Sequence, residues 1–228
     1  MAKKLLLFPF GGNARESLLS IDAINAVRKE WDVIGFLDDD PSLRGKDYLG
    51  VKVLGGTRLL QEYPDAWLLA VPGSPAGYLN RRSLIDGLPI APSRFATIIH
   101  PSVVLAPDAA IGWNTVLMPN VVVSCSVRIG NHCIILPNTV IAHDSSIGDY
   151  CCVGSNVSIS GAVAVGPECY IGSGTKVRES ITIGERTLVG LGSNVISPIA
   201  EGSVAAGNPA RVIRTHTAGN ILTKSIPA

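Results

Sequence analysis

The stretch Ile129-Gly130-Asn131-His132-Cys133-Ile134-Ile135-Leu136-Pro137-Asn138-Thr139-Val140-Ile141-Ala142-His143-Asp144-Ser145-Ser146-Ile147 places an aliphatic residue at every sixth position. Stepping by six in both directions meets Ile, Leu or Val at all 17 positions from Ile99 to Val195, and the run first fails at Glu201. An unbroken period of this length is the signature of a repeat architecture. The phase four residues later is small or branched, as at Thr115, Val121, Cys133, Thr139, Cys151, Val157 and Cys169. Residues i and i+4 share strand parity, so both phases face one interior. Glycine follows the aliphatic at 112, 130, 148, 154, 166, 172, 184 and 190. These glycines are expected to supply corners with φ > 0.

A second period, of 18, is visible where an aliphatic–Gly pair recurs at 111, 129, 147, 165 and 183. Three hexapeptides then make one coil of triangular section. Stacked coils lie about 4.8 Å apart, which makes residues 18 positions apart spatial neighbours. Cys133, Cys151 and Cys169 fall on one such ladder in the interior phase and read as packing residues.

Outside the repeat, residues 1–97 follow another grammar. Lys4–Phe10 reads as a buried strand ending at Gly11-Gly12, Arg15–Lys29 as a helix, and Trp31–Leu37 and Ala66–Val71 as further strands. Alternating strands and helices suggest a small parallel α/β unit. Ligands in such sheets bind at the carboxyl ends of the strands, where Gly11, Asp38 and Pro72 lie.

Composition narrows the function. The 228 residues are 46% hydrophobic, 5% aromatic and 16% charged, with a net charge of +1. No basic surplus marks a nucleic-acid binder, and no apolar run approaches the roughly 20 residues of a membrane span. The start Met1-Ala2-Lys3-Lys4-Leu5-Leu6-Leu7 reads as a first strand rather than a signal peptide, because Gly11-Gly12 interrupts it early. The five cysteines form no CxxC pair, so neither a disulfide framework nor a metal site is expected, and a reducing cytoplasm is the simplest setting.

Four histidines exist, at 100, 132, 143 and 216. His143 precedes Asp144 inside the repeat, with Cys125 one coil below and Gly161 one coil above. A glycine stacked over a histidine leaves room for a ligand and exposes a backbone N–H. Transfer of an acyl group from a thioester needs a base and donors for the oxyanion, and this corner offers both. His100 reads as structural, at the domain junction; His132 and His216 read as surface residues.

The whole pattern resembles the hexapeptide-repeat, left-handed β-helix acyltransferases. Within them it is similar to the sialic-acid O-acetyltransferase and nucleotide-aminosugar N-acetyltransferase family. The resemblance is carried by Gly11-Gly12-Asn13-Ala14-Arg15, Gly35-Phe36-Leu37-Asp38-Asp39-Asp40, Val53-Leu54-Gly55-Gly56, Ile99-His100-Pro101-Ser102, Ile141-Ala142-His143-Asp144 and Gly207-Asn208-Pro209-Ala210. It implies a Rossmann-like nucleotide-sugar domain at 1–97, a left-handed parallel β-helix at 98–200 and a tail at 201–228 that closes the coenzyme site. It further implies His143 as general base with Asp144 as its partner, and a nucleotide sugar held at Gly11, Gly12, Asn13, Asp38 and Asp39. Acetyl-CoA is expected at Cys152, Gly161, Gly172, Gly190, Asn208 and Pro209, in a homotrimer. The expected reaction is acetyl transfer to the amine of a nucleotide-linked amino sugar.

The chain departs from the family where Asn13 and Cys152 replace histidines and Leu136 replaces an asparagine. A sugar hydroxyl as acceptor, a longer acyl group, and a catalytically inactive nucleotide-sugar-binding trimer remain open on these grounds. A zinc carbonic anhydrase on the same helix would need three histidine ligands, and the spacing of His132 and His143 does not suit it.

Overall fold

The computed structural model describes residues 1–216. The N-terminal domain is built from β1 (Lys3–Phe8), α1 (Gly12–Val27), β2 (Trp31–Leu37), β3 (Asp47–Tyr48), β4 (Val51–Gly55), β5 (Trp67–Ala70) and α2 (Arg81–Asp86). The sheet order is β3-β4-β2-β1-β5, parallel except for the β3–β4 hairpin. Because β1 is covered on both sides, its run Leu5-Leu6-Leu7 is apolar without alternation and fully buried. Leu5 and Leu7 pack with Leu18 and Ile21 of α1, while Leu6 packs with Leu68 and Ile85 on the other side. The helix starts at Gly12, three residues before the expected Arg15, since the Gly11 carbonyl already accepts the Arg15 N–H.

Seventeen two-residue strands follow, from β6 (Ile98–Ile99) to β22 (Asn194–Val195), and each ends on an aliphatic of the six-residue step. Every strand pairs in parallel with the strand 18 residues away, for example Val122 with Val140 and Val140 with Ser158. Three sheets result, so the coils form a triangular prism. Its core holds the aliphatic step together with Cys133, Cys151 and Cys169, all fully buried. Burial pushes the Cys151 thiol far above its ordinary value, as befits a packing residue.

The repeat glycines do not carry the positive φ expected of them. That conformation belongs to the residue three after each aliphatic from Ile111 to Val189, including Asn114 (φ 52°), His132 (φ 58°), Asn138 (φ 62°), Asp144 (φ 58°) and Tyr150 (φ 60°). The glycines are required by close approach instead. A Cβ on Gly148 would sit 2.5 Å from the Pro167 nitrogen of the next coil, and one on Gly172 would sit 2.5 Å from the Leu191 nitrogen.

The N-terminal domain covers one face of the prism, the sheet containing Ile98, Val116, Ile134 and Cys152. The positive-φ corner of that face forms a polar ladder, and the domain grips it. Asn114 pairs with both backbone groups of Ala70 and with His132 Nδ1. Arg81, itself buried, donates to the carbonyls of Pro72, His132 and Tyr150. Tyr150 donates to Asp86 at 2.5 Å, and Arg82 pairs with Glu168 at 3.1 Å. His132 is therefore not a surface residue. It is 2% exposed and lies flat on the Tyr150 ring at 4.6 Å. His216 is likewise engaged, with Nε2 2.9 Å from the Tyr78 hydroxyl.

The tail begins with the antiparallel strands β23 (Ser203–Gly207) and β24 (Ala210–Thr215), which extend the covered sheet. Its remainder, residues 217–228, lies outside the described residues.

Candidate active site

His143 sits at the vertex between the two uncovered faces, in the turn that follows Val140–Ile141 and precedes Ser146–Ile147. The alternating repeat buries Ile141 inward, and the turn throws the next side chains outward. Asp144, in the left-handed region, brings its Oδ2 to 2.8 Å from His143 Nδ1. Both side chains are about 60% exposed. The coils above and below fix the backbone: Asp144 N–H donates to the Cys125 carbonyl, and the His143 carbonyl accepts from Ala162 N–H. Above the ring lies Gly161, where a Cβ would stand 2.5 Å from His143 Cε1. The backbone N–H of Gly161 has no hydrogen-bond partner among the described residues. With Nδ1 directed at a carboxylate, the imidazole has Nε2 left to exchange a proton with a ligand.

A second group gathers at the carboxyl ends of β1, β2, β4 and β5. Asp38 accepts from Phe10 N–H and Asp40 N–H, both at 2.9 Å, tying the loop after β1 to that after β2. Asp39 accepts from Thr57 N–H at 2.7 Å. Asn13 donates to the carbonyls of Val71 and Gly73, which closes the crevice between the loops after β1 and β5. Gly11 and Gly12 face open space. A cleft of about 510 Å³ opens beyond Asp39, towards Thr57 and Arg58.

The expected coenzyme residues do not gather around His143 within one chain. Cys152 is 5% exposed and lies under the N-terminal domain, where a Cβ on Gly73 would be 3.0 Å from its sulfur and 2.7 Å from Asn13 Nδ2. Burial raises its thiol pKa. Gly172 and Gly190 line the vertex after the covered face, stacked on Leu191 and Ala206. Asn208 and Pro209 form the exposed turn between β23 and β24. Sequence reasoning missed Arg81 and the Asn114–His132–Tyr150 ladder, although their 18-residue spacing was available as a signal.

Comparison with known proteins extends this geometry. The GMPPB C-terminal domain family matches residues 94–190. No curated protein matches the chain. The structure of PerB from Caulobacter crescentus, in complex with CoA and GDP-perosamine, is 26% identical, with a TM-score of 0.79, and the match covers 93% of this chain and 97% of that one. A variant of perosamine N-acetyltransferase from the same organism, with one histidine replaced by asparagine and the same two ligands, superposes with a TM-score of 0.80 at 25% identity, covering 93% and 97%. The chain shares with these acyltransferases an N-terminal α/β domain followed by a prism of six-residue repeats. The acetyltransferase domain of PglB from Neisseria gonorrhoeae, in complex with acetyl coenzyme A, shares this fold with a TM-score of 0.80 at 24% identity, covering 93% of this chain and all of that domain. Because the matches cover 93% of this chain, they include most of the N-terminal domain, which is therefore part of the shared architecture. No group of three or more metal-ligating side chains occurs among the described residues, and no described helix is long and apolar enough to cross a membrane.

Proposed function

We propose that the protein transfers an acetyl group from acetyl-CoA to the amine of a nucleotide-linked amino sugar, with His143 as general base. One observation carries the reading. The His143–Asp144 pair stands under a glycine shelf, at an exposed vertex of a chain whose likeness to a GDP-perosamine N-acetyltransferase spans 93% of its length. Nε2 takes the proton of the attacking amine as nitrogen adds to the thioester carbonyl. Asp144 holds Nδ1–H and stabilises the imidazolium. The unpartnered N–H of Gly161 is a donor for the developing oxyanion. Collapse forms the amide, breaks the C–S bond and returns the proton from His143 to the departing thiolate. No covalent enzyme intermediate is needed.

The site is completed by a second copy. The N-terminal domain covers one face of the prism, and His143 occupies the opposite vertex of the same chain. A nucleotide sugar held at Gly11, Gly12, Asn13, Asp38 and Asp39 therefore meets the His143 of a neighbour. The uncovered face next to His143 exposes Val104 and Val140, 62% and 40% accessible, as an apolar row for that contact. A closed ring of three copies meets both demands. Acetyl-CoA lies along the vertex between copies, with Gly172, Gly190, Asn208 and Pro209 contributed by the neighbouring prism, whereas Cys152 stays packed under its own N-terminal domain. All five cysteines are free, which suits a cytoplasmic enzyme.

The test is a turnover assay following CoA release from acetyl-CoA with a panel of nucleotide-linked amino sugars. Acetylation of an amine on any of them supports the proposal. Release with none of them, or only with hydroxyl acceptors, overturns it.

A further inference from the structure

The cleft beyond Asp39 has a composition that the reaction at His143 does not use. Its volume is about 510 Å³, and Arg44 and Arg58 line it together with Asp39, Thr57, Leu54 and Leu59. Neither guanidinium makes a salt bridge or a side-chain hydrogen bond among the described residues. The carboxylate, by contrast, is anchored: Asp39 Oδ1 accepts from Thr57 N–H at 2.7 Å and from its hydroxyl at 3.0 Å, leaving Oδ2 with only a longer contact to that hydroxyl. Two uncommitted forks of donors and one fixed acceptor thus share a cleft with aliphatic walls.

Position decides what enters it. In a parallel α/β sheet the phosphates of a nucleotide lie at the loop and helix N-terminus after the first strand, and the nucleoside extends across the end of the second. Here those places are Gly11-Gly12 before α1 and Asp38-Asp39 after β2, and the cleft lies next, at the ends of β2 and β4. Since β1, β2 and β4 are successive neighbours, two strand spacings of about 4.8 Å separate the phosphate position from the cleft. That is roughly the reach from a phosphate to its base.

Resting on the nucleotide-sugar reading above, we infer that this cleft selects guanine as the base of the acceptor sugar nucleotide. Guanine presents adjacent acceptors at O6 and N7, the pair that an arginine fork reads bidentately. It also presents N–H donors on its opposite edge for the free oxygen of Asp39. Adenine places a donor where guanine has O6 and meets the guanidiniums unfavourably. Uracil and thymine lack the N7 acceptor and leave one fork unpaired. Leu54 and Leu59 supply apolar contact for the faces of the bicyclic ring.

Calorimetry on the full chain with free GDP, UDP, dTDP and ADP tests the assignment, and acetyl-CoA titrated into every variant reports on folding. GDP is expected to bind at least ten-fold tighter than the other three. Arg44→Gln and Arg58→Gln are each expected to weaken GDP at least ten-fold, to bring GDP and UDP towards equality, and to leave acetyl-CoA affinity unchanged. Tighter binding of UDP, dTDP or ADP, or an undiminished GDP preference in both variants, overturns the guanine assignment while the sugar-nucleotide reading stands. Failure of all four nucleotides to bind a protein that still binds acetyl-CoA overturns both.

Discussion

At the scale of single residues, the proposed chemistry rests on one imidazole held between two coils. His143→Asn is expected to lower kcat by roughly 10²–10⁴, the usual worth of a positioned general base. Acetyl-CoA affinity is expected to change little, as a binding titration beside steady-state kinetics will show. Asp144→Asn should cost less, because that carboxylate acts through the ring. Gly161→Val fails differently. Its first carbon would already stand 2.5 Å from His143 Cε1, so the imidazole must swing away, and kcat should fall together with coenzyme affinity. The sequence made this trio legible because one stacking rule, 18 residues per coil, brings positions 143 and 161 together. It did not reveal His132. The repeat assigns His132 an outward corner position, and a corner reads as surface until a second domain lies on it. Tyr150 stands at the same 18-residue step one coil on, but Arg81 comes from a short helix of the N-terminal domain that the period does not link to it.

At the scale of elements, the coil corners divide the work between two residue types. The turn conformation with positive φ is taken by Asn114, Asn138, Asn156 and others at a modest cost that asparagine lowers with its own local hydrogen bonds. Glycine appears where the next coil leaves no room. The sequence displayed both phases, and the glycine phase invited the wrong explanation, since φ > 0 and close approach both select glycine. The distinction is measurable. Gly148→Ala places a Cβ 2.5 Å from a proline nitrogen in the backbone of the next coil, and overpacking of this kind costs about 1–3 kcal/mol. Gly192→Asn, at φ 67° with open space around it, is expected to be tolerated within about 1 kcal/mol. Thermal unfolding of the two variants should therefore separate, with Gly148→Ala melting several degrees lower. The short α/β elements were less legible. The β3–β4 hairpin and α2 are too brief to leave a period, whereas Trp31–Leu37 stood out as a β-branched and aromatic run between charged residues.

At the scale of the whole molecule, the two domains are joined by a buried polar ladder, and this makes the assembly sensitive to acid. His132 is packed among Phe95, Trp113 and Tyr150 and accepts at Nδ1 from Asn114 Nδ2 at 2.7 Å. Burial lowers its pKa from 6.5 to about 4; the Arg81 charge works in the same direction, and Asp86 and Asp149 oppose it. The folded state therefore binds this proton less readily than the unfolded chain. The sign follows from linkage: stability is fully present above pH 6.5 and is lost as pH falls from 6.5 towards 4. A difference of about 2.5 pKa units corresponds to roughly 3 kcal/mol. His132→Phe keeps an aromatic ring on Tyr150 and removes the titration, at the expense of the bond to Asn114. Denaturant unfolding followed between pH 8 and pH 4 should show the native protein losing more stability than this variant across that window. The variant should start lower at pH 8 and fall less. Parallel curves would mean that His132 is protonated without cost in the folded protein, and the acid sensitivity would then belong to the carboxylates of the ladder.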